Sequence, residues 1–251
     1  MTTVVDLAHV SKRYRLSHER ARSFQDIWLG MFKGKGAGNI EEFWALRDVS
    51  LQVGRGESVA LIGANGAGKS TALKIITRII DPTQGMVQVR GRMAALIELG
   101  AGFHTDLTGR DNIFLNGSIL GFNRKEMQAR FDAIVSFAEL EQFIDTEIKR
   151  WSSGMIMRLG FAVATSVEPD ILITDEILAV GDESFQRKCL QRIDSFRQQG
   201  GTILFVSHDM AAVRNLCGRA VWLDHGVVKI DGATEAVVEC YLTSGRTHTP
   251  S

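Results

Sequence analysis

The stretch Gly63-Ala64-Asn65-Gly66-Ala67-Gly68-Lys69-Ser70-Thr71 constrains this chain more than any other. It fits the pattern G-x-x-x-x-G-K-[ST] and has the flanks that pattern needs. Before it, Glu57-Ser58-Val59-Ala60-Leu61-Ile62 is a short apolar run that reads as a buried strand; after it, Ala72 to Ile80 has helical spacing. In a strand, glycine loop, helix context, backbone N–H groups turn inward around phosphate oxygens and the helix N-terminus adds its positive dipole end. Lys69 brings a full charge, and Ser70 offers a hydroxyl to Mg²⁺. A plain glycine-rich turn is the alternative, but it would need neither flank. The motif implies a bound nucleoside triphosphate.

Composition sets the class around that motif. At 251 residues, 45% hydrophobic and 23% charged, the chain buries a full core as one large domain or a domain with a subdomain. Lys+Arg and Asp+Glu each number 29, so the bulk charge gives no footprint for nucleic acid. Cys189, Cys217 and Cys240 are far apart and lack metal-ligand spacing, which predicts buried free thiols rather than disulfides or zinc. The start MTTVVDLAHVSKRYRL lacks the apolar run of a secretory signal, and no stretch reaches the ~18 to 20 apolar residues that span a bilayer. Service to a membrane would require another polypeptide to cross it.

Three stretches interrupt the alternation of strands and helices. Within an insertion over about 17–43, Phe24, Ile27, Trp28, Met31 and Phe32 fall on one helical stripe ahead of a glycine-rich loop from Lys33 to Asn39. Such a helix docks on a partner or membrane surface, or packs onto its own domain. The stretch from Thr108 to Ile148 is largely helical in pattern and marks a helical subdomain over about 104–164. From Gly245 the tail is polar, as in a disordered end or the start of a linker.

The later strands carry the remaining chemistry. Asp170 to Glu176 reads as a buried strand ending in two carboxylates; beside a phosphate loop, Asp175 is positioned to hold Mg²⁺ and Glu176 to face the attacking water. Gly201 to Asp209 is a second buried strand, with His208 at its end as a candidate γ-phosphate contact or an ordinary loop residue. Trp151-Ser152-Ser153-Gly154-Met155 opens an apolar helix: an N-cap, and also a second anion site, since exposed N–H groups at a helix start hold phosphate.

The order of phosphate loop, Ser-Ser-Gly helix start, Asp-Glu strand end, Val180-Gly181-Asp182 turn and His208 resembles the ATP-binding cassette of ABC transporters along nearly the whole chain. The family signature is usually L-S-G-G-Q; here Ser152 and Gly154 are kept while Trp151, Ser153 and Met155 depart. That signature, Leu178 to Asp182, and Leu96 to His104 ahead of Leu107 to Asn112 are similar to the ATPase subunits of O-antigen and capsular polysaccharide exporters, with teichoic acid exporters close by.

The resemblance implies an α/β fold: a P-loop NTPase ABC cassette with a RecA-like core, an antiparallel β subdomain and a helical subdomain, forming one nucleotide-binding domain over 1–251. It implies ATP and Mg²⁺ as ligands. Glu176 is then the general base, Asp175 and Ser70 the Mg²⁺ partners, Lys69 the phosphate clamp, and His208 the γ-phosphate sensor. Tyr14, ending the first strand, matches the adenine-stacking aromatic, or is an ordinary strand-end tyrosine.

Two copies face head to tail in this reading, each ATP lying between one phosphate loop and the partner's Ser152-Ser153-Gly154-Met155, with Asp182 as a cross-interface contact. No glutamine occupies the usual place before the helical subdomain, and Glu98 is the nearest candidate there. The expected partners are an integral membrane subunit, a second ATPase copy and, indirectly, a lipid-linked polysaccharide, with no nucleic acid. The expected location is peripheral, on the cytoplasmic face of the inner membrane. A carbohydrate-binding domain appended in some exporters is not expected within these residues. A nucleic-acid-associated ABC ATPase would bring a basic surface, and a P-loop kinase would bring an arginine lid in place of the helix-start signature.

Overall fold

The computed structural model describes residues 2–17, 40–96, 99–100, 102–174 and 181–246. Strands β1 (Thr3–Ser17), β2 (Ile40–Gly54) and β4 (Gln84–Val89) form an antiparallel sheet in the order β2-β1-β4. The larger sheet has six strands: β3 (Ser58–Ile62), β5 (Met93–Ala95), β6 (Ile171–Thr174), β7 (Thr202–Val206), β8 (Arg219–Asp224) and β9 (Val227–Ala233), in the order β5-β6-β7-β3-β8-β9. All pairings in it are parallel except β8 with β9, which a turn joins as a hairpin. Every residue of β6 and β7 is buried, as covering a parallel sheet on both faces requires.

Alternation along these strands builds two cores. Val59 and Leu61 of β3, with Leu204, Val206, Val221 and Leu223, pack under the antiparallel sheet and helix α1 (Lys69–Ile76). The intervening Ala60 and Ile62, with Leu172, Ile203 and Phe205, face α5 (Glu183–Gln198), α6 (Met210–Leu216) and α7 (Thr234–Arg246). A third cluster joins α2 (Gly109–Ile119), α3 (Arg124–Ala138) and α4 (Ser153–Ser166), with Ile113, Phe131, Ile134, Trp151 and Leu159 at its centre.

Thr108 caps α2 through Asp111 N, and Asn123 with Glu126 closes a reciprocal capping box on α3. Arg219 donates to Asp231 at 2.6 and 2.7 Å, to Glu57 at 3.0 Å and to the Gln52 carbonyl at 3.0 Å, tying the β8–β9 hairpin to the start of β3. These carboxylates raise its guanidinium pKa further above an already high value.

Several expectations change. The helix after the phosphate loop ends at Ile76, not Ile80: Arg78 turns left-handed (φ 59°), and Ile79 N and Ile80 N both bond the Lys74 carbonyl. Strand β1 runs on to Ser17, so Tyr14 lies inside it rather than at its end. Cys189 and Cys217 are buried, but Cys240 is exposed. The aromatic stripe from Phe24 to Phe32 lies outside the described residues.

Candidate active site

The carboxyl end of β3, flanked by β7 and β8, delivers the chain to Gly63. Gly63, Gly66 and Gly68 all have positive φ, at 149°, 81° and 106°. A Cβ at Gly63 would overlap the Leu223 carbonyl oxygen, and one at Gly68 would lie 2.6 Å from the Ala45 carbonyl oxygen and 2.8 Å from Leu46 Cδ2. The loop is therefore wedged between β2 and the hairpin turn. Gly226 N donates to Ala67 O at 3.0 Å, and Arg47 N donates to Gly226 O at 2.8 Å.

Ala64, Asn65 and Gly66 form the exposed tip, and Ala67 N donates back to Ala64 O at 3.1 Å. The Lys69 ammonium arches over the loop, donating to Gly63 O at 2.8 Å and Ala64 O at 3.0 Å. Gly68 is the N-cap of α1 and offers no side-chain cap, and Ser70 and Thr71 follow in the first turn, Ser70 exposed. First-turn N–H groups have no intrahelical acceptor, so an uncapped glycine start fits a phosphate ligand.

His208 follows β7, whose Val206 pairs with Leu61 of β3. The buried Ser207 hydroxyl accepts from Asp209 N at 2.9 Å, and Asp209 caps α6 through Ala211 N and Ala212 N. This rigid turn exposes His208 beside the strand that carries the phosphate loop. Strand β6 lies on the other side of β7 and ends at Thr174, on the same edge of the sheet as Ile62 and Val206. Asp175, Glu176 and Glu98 themselves lie outside the described residues.

Ser152, Ser153, Gly154 and Met155 open α4, with Ser152 Oγ accepting from Met155 N at 3.2 Å. Ser152 and Ser153 are exposed, and a Cβ at Gly154 would meet only Ser152 Oγ, at 3.8 Å. Behind them Trp151 is 8% exposed, donates through Nε1 to Thr146 Oγ1 at 2.8 Å, and lies where Gly109 has no side chain. Leucine is the usual residue at that place, and Trp151 fills it as a core anchor. The phosphate loop and this helix start are anchored in different cores, Ala67 in the first and Trp151 in the third.

Asp182, expected to reach across an interface, is engaged within the chain as the N-cap of α5. Its Oδ1 accepts from Phe185 N at 2.9 Å and Ser184 Oγ at 2.7 Å, and its Oδ2 accepts from Arg158 Nη2 at 2.7 Å. The Phe185 N–H, then the Ser184 hydroxyl, hold its carboxyl below the usual range. Arg158 also donates to Glu139 Oε2 at 3.0 Å, while Lys188 donates to Glu139 Oε1 at 2.7 Å. Lys188 first, and Arg158 with it, depress the Glu139 pKa against the opposing effect of burial. Sequence reasoning missed Arg158, because its partners lie 19 and 24 residues away and leave no local pattern.

The model of the ABC transporter family matches residues 46–179 of this chain, from β2 through the phosphate loop and α4 to just past β6. The chain belongs to the ABC transporter family. As a member it is an ATP-hydrolysing cassette. It is 48% identical over 244 residues to the O-antigen export system ATP-binding protein RfbB of Klebsiella pneumoniae, covering 96% of this chain and 98% of that one. It is 43% identical over 237 residues to the teichoic acids export ATP-binding protein TagH of Levilactobacillus brevis, covering 94% of this chain and 64% of that one. Among solved structures, an ATP-binding subunit of an ABC transporter superposes with a TM-score of 0.74 at 25% identity, covering 97% of this chain and 95% of that one. A dimeric cassette bound to ADP and Pi shares the fold at a TM-score of 0.71 and 23% identity, covering 92% of this chain and 98% of that one.

Proposed function

We propose that this cassette powers export of a lipid-linked polysaccharide, of O-antigen or capsule type, through a separate integral membrane subunit. The similarity to the Klebsiella O-antigen export protein, nearly end to end in both chains, carries this reading. Teichoic acid export is the second reading, favoured by the 43% identity to TagH. Among the described residues no helix is long and apolar enough to cross a membrane. The similarity to export-system ATP-binding proteins supports a peripheral place on the cytoplasmic face, against the membrane subunit.

The chemistry follows from the site. The N–H groups of Gly63 to Thr71 cradle the β- and γ-phosphates, and Lys69 leaves its loop carbonyls to neutralise them. Ser70 and Asp175 would hold Mg²⁺, which supplies charge neutralisation on the phosphate oxygens. Glu176 takes a proton from the attacking water, His208 bonds the γ-phosphate, and Tyr14 stacks on adenine. Glu98 stands in for the usual glutamine. Ser152 to Met155 of a second copy closes over the same γ-phosphate, so ATP joins two chains and hydrolysis releases them. The whole chain acts as one nucleotide-binding domain with α2, α3 and α4 as its helical subdomain.

A Glu176→Gln variant tests the reading. Saturated with Mg-ATP it is expected to sediment as a dimer, to co-purify with a multi-spanning membrane protein, and to cause a lipid-linked glycan to accumulate in cells. A variant that binds ATP yet sediments as single subunits, alone and with its membrane partner, would overturn it.

A further inference from the structure

We propose that Phe43 forms a second aromatic wall of the nucleobase pocket, beside Tyr14. The inference rests on the adenine role assigned above to Tyr14 and adds a residue that no sequence motif marks.

Tyr14 and Phe43 are directly paired in the β1–β2 ladder, so their side chains leave the sheet on one face with Cβ atoms about 5 Å apart. Both are exposed, Tyr14 at 36% and Phe43 at 50%, in a protein that buries most of its large apolar side chains. The register identifies the face. Lys12, two residues before Tyr14, holds its ammonium 5.5 Å from the Tyr14 ring centroid, so the two share a side, and Lys12 pairs with Leu46.

The ladder slips by one residue between Lys12 and Arg13, so Ala45 has no partner of its own and Leu46 comes onto the same side as Phe43. Leu46 Cδ2 is one of the atoms that a Cβ on Gly68 would strike. The face bearing Tyr14 and Phe43 is thus continuous with the wall of the phosphate loop. Arg13, between Lys12 and Tyr14, turns to the opposite face, where it bonds Glu42 at 2.8 Å and covers the Trp44 ring at 5.4 Å.

The occupant that fits two exposed aromatic side chains next to a triphosphate cradle is the base of the nucleotide held there. Tyr14 has the Lys12 ammonium over its ring, and Lys12 is in turn anchored to the Asp81 carbonyl at 2.6 Å. A base stacked on Tyr14 meets Phe43 along its edge, and the pair excludes water from an otherwise open side. Stacking tolerates any base, so the wall adds affinity rather than choosing adenine over guanine.

Calorimetric titration of the full chain with ATP and, separately, with inorganic tripolyphosphate separates base from phosphate binding. Phe43→Ala is expected to raise the ATP Kd about fivefold to tenfold, Tyr14→Ala at least as much, and Phe43→Trp to restore wild-type affinity, with the tripolyphosphate Kd unchanged throughout. Three results would overturn the proposal. If Tyr14→Ala weakens ATP but Phe43→Ala does not, Phe43 has no part and the Tyr14 role stands. If neither weakens ATP, the base does not lie on this face at all. If Phe43→Ala weakens tripolyphosphate as much as ATP, Phe43 supports the loop rather than the base.

Discussion

The contact between Gly109 and Trp151 gives a quantitative test of how the helix start at Ser152 is held. Gly109 is the first residue of α2 and has no left-handed φ, so alanine suits its backbone. Its Cβ, however, would overlap the Trp151 ring and lie 2.9 Å from Ile144 Cδ1. Overpacking costs about 1–3 kcal/mol. The better helix propensity of alanine offsets at most ~1 kcal/mol, leaving Gly109→Ala about 0–3 kcal/mol less stable. Trp151→Leu loses the bond to Thr146, worth about 1 kcal/mol, and leaves a void worth ~1–3 kcal/mol more.

In the double variant the new methyl enters space the indole has left. The two costs are therefore expected to sum to about 1–2 kcal/mol more than the measured loss. Urea unfolding followed by far-UV circular dichroism on the four proteins gives the cycle. Additivity to within about 0.5 kcal/mol would refute the packing argument. So would a double variant less stable than the sum.

Three further outcomes follow from the same geometry. Gly68→Ala, strained at φ 106° and blocked by Ala45 and Leu46, is expected to raise the ATP Kd more than tenfold, and Gly66→Ala, whose Cβ meets nothing within 4 Å, to do less; equal effects would contradict the wedge. Arg158→Met is expected to lower stability at pH 7. Glu139 and Asp182 have folded pKa values below their unfolded ones, so their pairing with Arg158 stabilises above the ordinary carboxylate range and is lost as pH falls through it. The gap between variant and wild type in thermal melts therefore closes below about pH 4, and a gap constant down to about pH 2 would sink that account. With a thiol reagent, Cys240 reacts in the native protein, while Cys189 and Cys217, pushed up to about 12 by burial, react only on unfolding; three equal native rates would contradict this.

What the sequence made legible is the part built from contiguous residues. The phosphate loop, its strand and its helix are local, and the buried runs of β6 and β7 announce themselves by composition. The α1 boundary is not legible, because apolar spacing continues through Ile79 and Ile80, whereas the chain there turns through a left-handed Arg78. Tyr14 was legible as a residue type but not as half of a pair, since register with Phe43 depends on a strand slip that no pattern encodes. The role of Trp151 was hidden for a similar reason. It replaces the usual leucine because Gly109, 42 positions earlier, leaves room for the indole.

Glu139 shows how the helical cluster is fixed to the core. It closes α3 with a φ of 58°, a conformation that non-glycine residues adopt at a cost of about 1 kcal/mol or more. Its carboxylate offsets that cost by bonding two cations from two different helices, Arg158 of α4 and Lys188 of α5, while Lys188 also satisfies the Phe137 carbonyl in the last turn of α3 at 3.1 Å. The Arg158 guanidinium then turns its other nitrogen to Asp182, the residue that starts α5. A planar fork bonded to two carboxylates resists rotation in a way a single ammonium does not. Rotation of helix α4 about its axis would break either the Glu139 or the Asp182 bond, so Arg158 ties the helix that Ser152 to Met155 open to the end of α3 and to the N-cap of α5.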